Sequence, residues 1–251
     1  TMSAEAFYQA EAAAEPTEYQ QMLLGLYNKS ILKQAKFAAI NKYLASTETC
    51  RCLDIGADNG VLSYLLRKNG GDWSSADLQP SVVASIKKMV GDQVELFDGG
   101  RTRFADQTFD IVVIIDFLEH IEDDRAFLAE LNRIMKPGGQ LIINVPHFRK
   151  NSWIRKLRLA CGLSDEKHGH VRPGYNLLSL QVVCGDYFEI AENHTYSKFF
   201  VELYDVIISL LFERMAYSGG EPSNEISKGV VVTGDDLHKH RNKFKLFSVI
   251  Y

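Results

Sequence analysis

Residues Leu53 to Gly60 read LDIGADNG and concentrate groups able to handle a charged ligand. The apolar run Cys52, Leu53, Asp54, Ile55 ends in a turn with glycine at 56 and 60, and a helical pattern (Val61, Leu62, Tyr64, Leu65, Leu66) follows at once. Strand, glycine turn and helix in that order present backbone N–H groups to a nucleotide. A dinucleotide-binding turn would need glycine at 56, 58 and 61, where this chain has Gly56, Asp58 and Val61. A carboxylate at 58 repels a pyrophosphate and suits a ligand with cationic groups. Acids at 54 and 58 therefore favour a nucleoside carrying a sulfonium and an ammonium over NAD. The plainer readings are a simple turn for Gly56 and Gly60 and a turn-ordering acid for Asp54.

Further acids close later apolar segments. Asp77 lies 21 residues after Gly56, where a strand-end carboxylate takes ribose hydroxyls. Asp98 and Gly99 follow a third short strand and fall near a base, or form a surface turn. Asp116 and Phe117 end the run FDIVVIID, at the crevice where ligands bind in parallel sheets. Beyond them stand titratable groups suited to proton transfer: Glu119 and His120, His147, then His168 and His170. His120 and His147 are the candidate general bases, each with a plainer role as a helix-start or loop histidine. His168 and His170 lack a carboxylate at ligand spacing, so no metal is expected.

These residues need a frame. Strands are expected at 52–55, 73–77, 94–98, 109–116 and 140–145, with helices at 61–66, 80–89 and about 123–135. Pro80 suits a first helical turn. The β-branched middle of 109–116 suits a strand buried on both faces. Alternation with short connections implies a doubly wound parallel sheet. Residues 17–45 carry apolar positions at helical spacing, broken near Asn28, and either cover a ligand through Tyr19 and Tyr27 or simply pack on the sheet. After an irregular stretch at 147–175, a short helix is expected at 176–184 and a sixth strand at 187–190. A long apolar helix is expected at 197–217, and a terminal helix at 237–251 opened by Thr233.

Residues 50–146 resemble a class I S-adenosylmethionine-dependent methyltransferase of the group that includes quinone-biosynthesis and small-molecule methyltransferases. LDIGADNG is similar to that family's first motif, with Asp58 in place of a glycine. DGGRTRFADQTFD at 98–110, FLEHI at 117–121 and RIMKPGG at 133–139 are similar to later motifs in the right order. Thr102-Arg103 stands where the family has Leu-Pro. The resemblance implies a Rossmann-like α/β fold, mostly parallel, in a single methyltransferase domain spanning 1–251. It comprises N-terminal helices at 1–46, a cofactor-binding core at 47–196 and a C-terminal helical extension at 197–251. It also implies S-adenosylmethionine as cofactor, held by Asp54, Gly56, Ala57, Asp58, Gly60, Asp77, Leu78, Asp98, Gly99, Asp116 and Phe117. The expected reaction is methyl transfer to an oxygen of a small-molecule, glycan or lipid-linked acceptor. A non-catalytic S-adenosylmethionine-binding module is the rival from another class, and a nucleotide-binding oxidoreductase a second, opposed by Asp58 and Val61.

The 251 residues, 46% hydrophobic with a formal net charge of −4, give no global basic field for nucleic acid. The four cysteines, at 50, 52, 161 and 184, lack redox or zinc spacing and read as reduced thiols of a cytoplasmic protein. Neither a signal peptide nor a membrane-spanning run is expected. Two basic-aromatic stretches, at 148–159 and 239–251, suit peripheral contact with an anionic membrane, or pack as ordinary helix faces.

Overall fold

The computed structural model describes residues 15–148 and 170–196. The chain enters through α1 (Glu18–Tyr27) and α2 (Ile31–Tyr43). Thr17 and Gln20 close a reciprocal capping box at the start of α1, and the Ser30 hydroxyl accepts from the Lys33 N–H to start α2. These local signals fix the expected break beside Asn28.

The core alternates β1 (Arg51–Ile55), α3 (Val61–Arg67), β2 (Asp72–Asp77), α4 (Pro80–Val90) and β3 (Val94–Leu96). It continues with β4 (Phe109–Ile115), α5 (Asp124–Ile134), β5 (Met135–Asn144) and α6 (Leu177–Cys184). All pairings are parallel, in the order β3-β2-β1-β4-β5. The strand order reverses between β1 and β4, so their carboxyl ends open the crevice at a topological switch point.

Alternation along the central strands builds two cores. Leu53 and Ile55 of β1 and Val112 and Ile114 of β4 face Phe127, Leu128 and Leu131 of α5. Cys52, Ile111, Val113 and Ile115 face the other way, onto Ile40 of α2 and Leu62 and Leu66 of α3. Burial raises the Cys52 thiol pKa to about 12, so it is a packing residue rather than a nucleophile.

Several boundaries differ from the sequence expectation. β5 begins at Met135, not 140: Phe109 pairs with Met135, then Ile111 with Gln140, and the Lys136–Gly139 excursion is absorbed as an irregularity. Lys136 caps that excursion by pairing with Asp110 at 2.8 Å. β3 stops at Leu96. Residues 187–190 are not a sixth strand, because the N–H groups of Tyr187 and Phe188 turn back onto the Cys184 carbonyl. The expected helices at 197–217 and 237–251, the N-terminal helix before Pro16 and most of both basic-aromatic stretches lie outside the described residues. Among the described residues no helix is long and apolar enough to cross a membrane.

Candidate active site

The glycine turn sits in the crevice because nothing larger than hydrogen fits there. Gly56 has φ +84, and a Cβ on it would lie 2.4 Å from the Ile115 carbonyl oxygen and 2.7 Å from Phe117 Cβ. Gly60 has φ +83, and a Cβ there would meet Ile86 Cα at 2.9 Å. Left-handed backbone at both positions also favours glycine. The first glycine thus lets the ends of β1 and β4 close on one another, and the second lets α3 start against α4.

Asp54 lies below this turn rather than open to the crevice. It is fully buried. One oxygen accepts from the Ser63 hydroxyl at 2.5 Å, and the other from Ser75 at 2.8 Å and Arg67 Nη1 at 3.2 Å. Arg67 also donates to the Ser63 and Trp73 carbonyls. Ser63 and Arg67 are four residues apart on α3, one face of the helix. Every oxygen of Asp54 is therefore engaged in joining β1, α3 and β2. This buttress was not foreseen, although the Ser63–Arg67 spacing carried a signal for it.

Asp58 is exposed at φ 52 and pairs with Lys33 of α2 at 3.3 Å. Ala57 is buried among Cys52, Leu62 and Leu66. Beside the turn, at the end of β2, Asp77 is buried, 7% exposed, and its carboxylate accepts from the Gln79 N–H at 3.0 Å. Burial pushes its pKa up to about 6, offset in part by that N–H bond. Leu78 follows it, half-buried. Asp98 is exposed and accepts from the Gly100 N–H in a tight turn. Gly99 lies beside Leu78 and Ile121, which a Cβ would approach to 3.4 and 3.2 Å. Thr102, where the resembled family has another residue, is buried and donates twice to Glu130, itself held by Arg133. The substitution therefore serves a local polar cluster.

The end of β4 holds a denser set. Asp116, at φ 45, forms an ion pair with Lys36 of α2. Burial works against the charge of Lys36, but Asp116 outweighs it and holds the ammonium pKa above its ordinary value. The Phe117 ring stacks with Phe97 at 5.6 Å and faces the core. Glu119 is fully buried, with neither carboxylate oxygen hydrogen-bonded. Burial, then the charge of Asp116, pushes its pKa up to about 8. His120 and the exposed His147 line one cleft with Lys36, Asp116, Glu119 and Tyr196. The Tyr196 hydroxyl accepts from Asn144 at 2.8 Å. Sequence reasoning missed Lys36 and Tyr196, which reach the cleft from outside the sheet.

His170 is brought to Glu119 and His120, with one ligand atom of each within 4.8 Å of the others. His168 lies outside the described residues. Of the covering tyrosines, Tyr27 meets the Phe37 ring edge-on and Tyr19 packs among Leu23, Val61 and Met89. Both therefore have packing roles here.

Residues 53–143 match the family model of a methyltransferase domain. A demethylmenaquinone methyltransferase of Corynebacterium glutamicum is 35% identical over 98 residues, 37% of this chain and 40% of that protein. A mitochondrial ubiquinone biosynthesis O-methyltransferase of Schizosaccharomyces pombe is 30% identical over 101 residues, 38% of this chain and 37% of that one. The chain thus aligns with about two fifths of the length of these curated relatives. Among solved structures, a Bacillus halodurans protein assigned as a methyltransferase superposes with TM-score 0.56 at 19% identity, covering 75% of this chain and 86% of its own. The cyclase SpnF superposes with TM-score 0.62 at 14% identity, covering 84% and 76%. These two likenesses establish the fold, which by itself does not fix the chemistry.

Proposed function

From a core that is a class I methyltransferase domain, we propose that the protein transfers a methyl group from S-adenosylmethionine to an oxygen of a small-molecule, glycan or lipid-linked acceptor. The observation that carries the reading is a pair of features side by side at the carboxyl ends of β1 and β2, next to the switch point. One is a glycine turn that tolerates no side chain at Gly56. The other is the buried Asp77 carboxyl at the end of the neighbouring strand.

The residues present fit the cofactor. Asp77 has acceptor capacity left for ribose hydroxyls beyond the bond it accepts from the Gln79 N–H. Leu78, Gly99 and Ile121 supply an apolar floor for a base. Asp58 adds negative charge at the mouth of the turn, although Lys33 balances part of it. Asp54 serves the same site by holding the turn, and Ala57 and Phe117 by packing beneath it. When bound, the sulfonium supplies an already activated methyl group, so the chain's task is positioning and exclusion of water. His120 and His147 are placed to accept the acceptor's proton from the cleft, and Asp116 with Lys36 sets the charge between them and the cofactor.

An oxygen acceptor is supported by the ubiquinone O-methyltransferase relative. The relatives' names concern quinones, lipid-soluble molecules, which agrees with the proposed peripheral membrane role of 148–159 and 239–251 at a cytoplasmic membrane face. The test has two steps. S-adenosylmethionine or its demethylated product should raise the melting temperature while NAD at equal concentration does not. Methyl-labelled donor should then transfer label to a quinol or catechol-type acceptor. Stabilisation by NAD alone, or donor binding without any labelled product across such acceptors, would overturn the reading. Sedimentation with anionic but not neutral vesicles, reversed by salt, tests the membrane part.

A further inference from the structure

We propose that Glu119, His120 and His170 form a binding site for one first-row divalent transition-metal ion, with zinc the fitting probe. The three contribute a carboxylate and two imidazoles whose ligand atoms lie within 4.8 Å of one another. An ion held at about 2.0–2.2 Å from each donor needs them roughly 3–4 Å apart, so small side-chain rotations complete the set. Two imidazoles and one carboxylate are the donors of open three-ligand metal sites, which keep further positions for water or a ligand. Hard ions such as magnesium prefer an all-oxygen shell and fit this set less well.

The independent observation is Glu119. Its side chain is fully buried, yet both its oxygens lack a hydrogen-bond partner. A buried polar group left unpaired is costly, and a cation beside it removes that cost. The scaffold also brings His170 to it deliberately. The Val171 N–H donates to the Glu119 carbonyl at 3.0 Å, so the chain after His170 is tied to the turn carrying Glu119 and His120. Arg172 donates to the Glu122 carbonyl at 2.8 Å and pairs with Asp124, the first residue of α5. Tyr175 donates its N–H to the Pro146 carbonyl and accepts the Phe148 N–H, continuing the sheet edge. The two imidazole rings meet edge to face with centroids 4.7 Å apart. The inference does not rest on methyl transfer, because the site is defined by its donors alone; with an ion bound, His120 is a ligand and His147 alone is left to accept the acceptor's proton.

The test uses the full chain, stripped with chelator and dialysed against limiting zinc. Wild type should retain one equivalent of zinc and show a visible cobalt spectrum typical of nitrogen and oxygen ligands. Glu119→Gln, His120→Ala and His170→Ala should each weaken zinc binding by at least about tenfold, since even outer-shell changes cost that much. Circular dichroism checks folding, and zinc should raise the melting temperature of wild type but not of His170→Ala. The chain has seven histidines, so adventitious zinc is separated by the variants. Wild type binding no zinc, or the folded His170→Ala variant binding it as tightly as wild type, would overturn the site. Binding lost with His120 and His170 but unchanged in Glu119→Gln would overturn the three-ligand assignment.

Discussion

Lys36 and Asp116, 80 residues apart in the chain, form an ion pair that anchors the entry helix to the carboxyl end of β4. The lysine side chain is 14% exposed and the aspartate 39%, so the pair lies between surface and core. Exposed pairs contribute up to about 1 kcal/mol, whereas a buried partner left alone costs several times more. Lys36→Met should therefore destabilise the protein by about 1–2 kcal/mol. In a double-mutant cycle with Asp116→Asn, read by urea unfolding, the two losses should be less than additive by at least ~0.5 kcal/mol. Strict additivity would mean that the pair does not hold α2.

The Asp54–Arg67 pair makes a stronger claim. Asp54 is fully buried and the Arg67 side chain is 13% exposed. Removing either leaves the other in low dielectric with unmet bonds, and such breaks cost about 3–5 kcal/mol. Arg67→Met should lose that much in urea unfolding. Ser63→Ala, which removes one hydroxyl donor to the same carboxylate, should lose about 1–2 kcal/mol. A loss below about 1 kcal/mol for Arg67→Met would mean the buttress is dispensable.

The frame was legible because local rules and burial agreed. The helical spacing over 17–45 with its break near Asn28, Pro80 in a first turn and the β-branched run at 109–116 each put their element where it is observed. The Lys136–Gly139 excursion was misplaced because proline and glycine signal a break, while the strand register simply absorbs it. Residues 187–190 have the aromatic and β-branched residues of a strand, but the Cys184 carbonyl captures the N–H groups of Tyr187 and Phe188 first. The site was legible where backbone geometry demanded glycine. It was not where partners come from distant segments: Lys36 onto Asp116, Arg67 onto Asp54, and His170 onto Glu119. Apart from the Ser63–Arg67 spacing on α3, the sequence carries no trace of those meetings, which depend on how helices and loops return to the sheet.

Gly56→Ala tests the close approach directly. A Cβ would sit 2.4 Å from the Ile115 carbonyl oxygen, and the backbone is at φ +84. Both backbone strain and steric overlap oppose the change, and strain of this kind alone costs about 1–3 kcal/mol. The variant should lose at least ~2 kcal/mol of stability and most of its donor binding, since β1 and β4 must part. Gly91→Ala is the control, because a Cβ there meets nothing within 4 Å although φ is +87. It should show only the strain and retain donor binding. Equal losses of binding in the two variants would separate the turn from the ligand site.

Asp77 gives the prediction with a sign in pH. Burial pushes its pKa to about 6, above the ordinary aspartate value of 3.8. The unliganded fold therefore holds this proton more firmly than the unfolded chain does. Its contribution to stability is present at low pH and is lost as pH rises through the window from 3.8 to about 6. Ligand binding runs the other way. Ribose hydroxyls donate to an ionised carboxylate, which is acceptor-only, so donor binding favours the deprotonated form. Affinity for S-adenosylmethionine should be flat above about pH 7 and fall by up to tenfold per unit as pH drops below about 6, with proton release on binding. Asp77→Asn keeps the shape but loses the charge, and should bind on the order of 10- to 1,000-fold more weakly at neutral pH, since each charged hydrogen bond contributes roughly 1.5–3 kcal/mol. It should also lose the pH dependence in that window. Calorimetric titrations at pH 5, 6, 7 and 8 in two buffers of different ionisation enthalpy read both affinity and proton release. A folded Asp77→Asn variant with wild-type affinity, or the same pH profile in both proteins, would remove Asp77 from the ribose site.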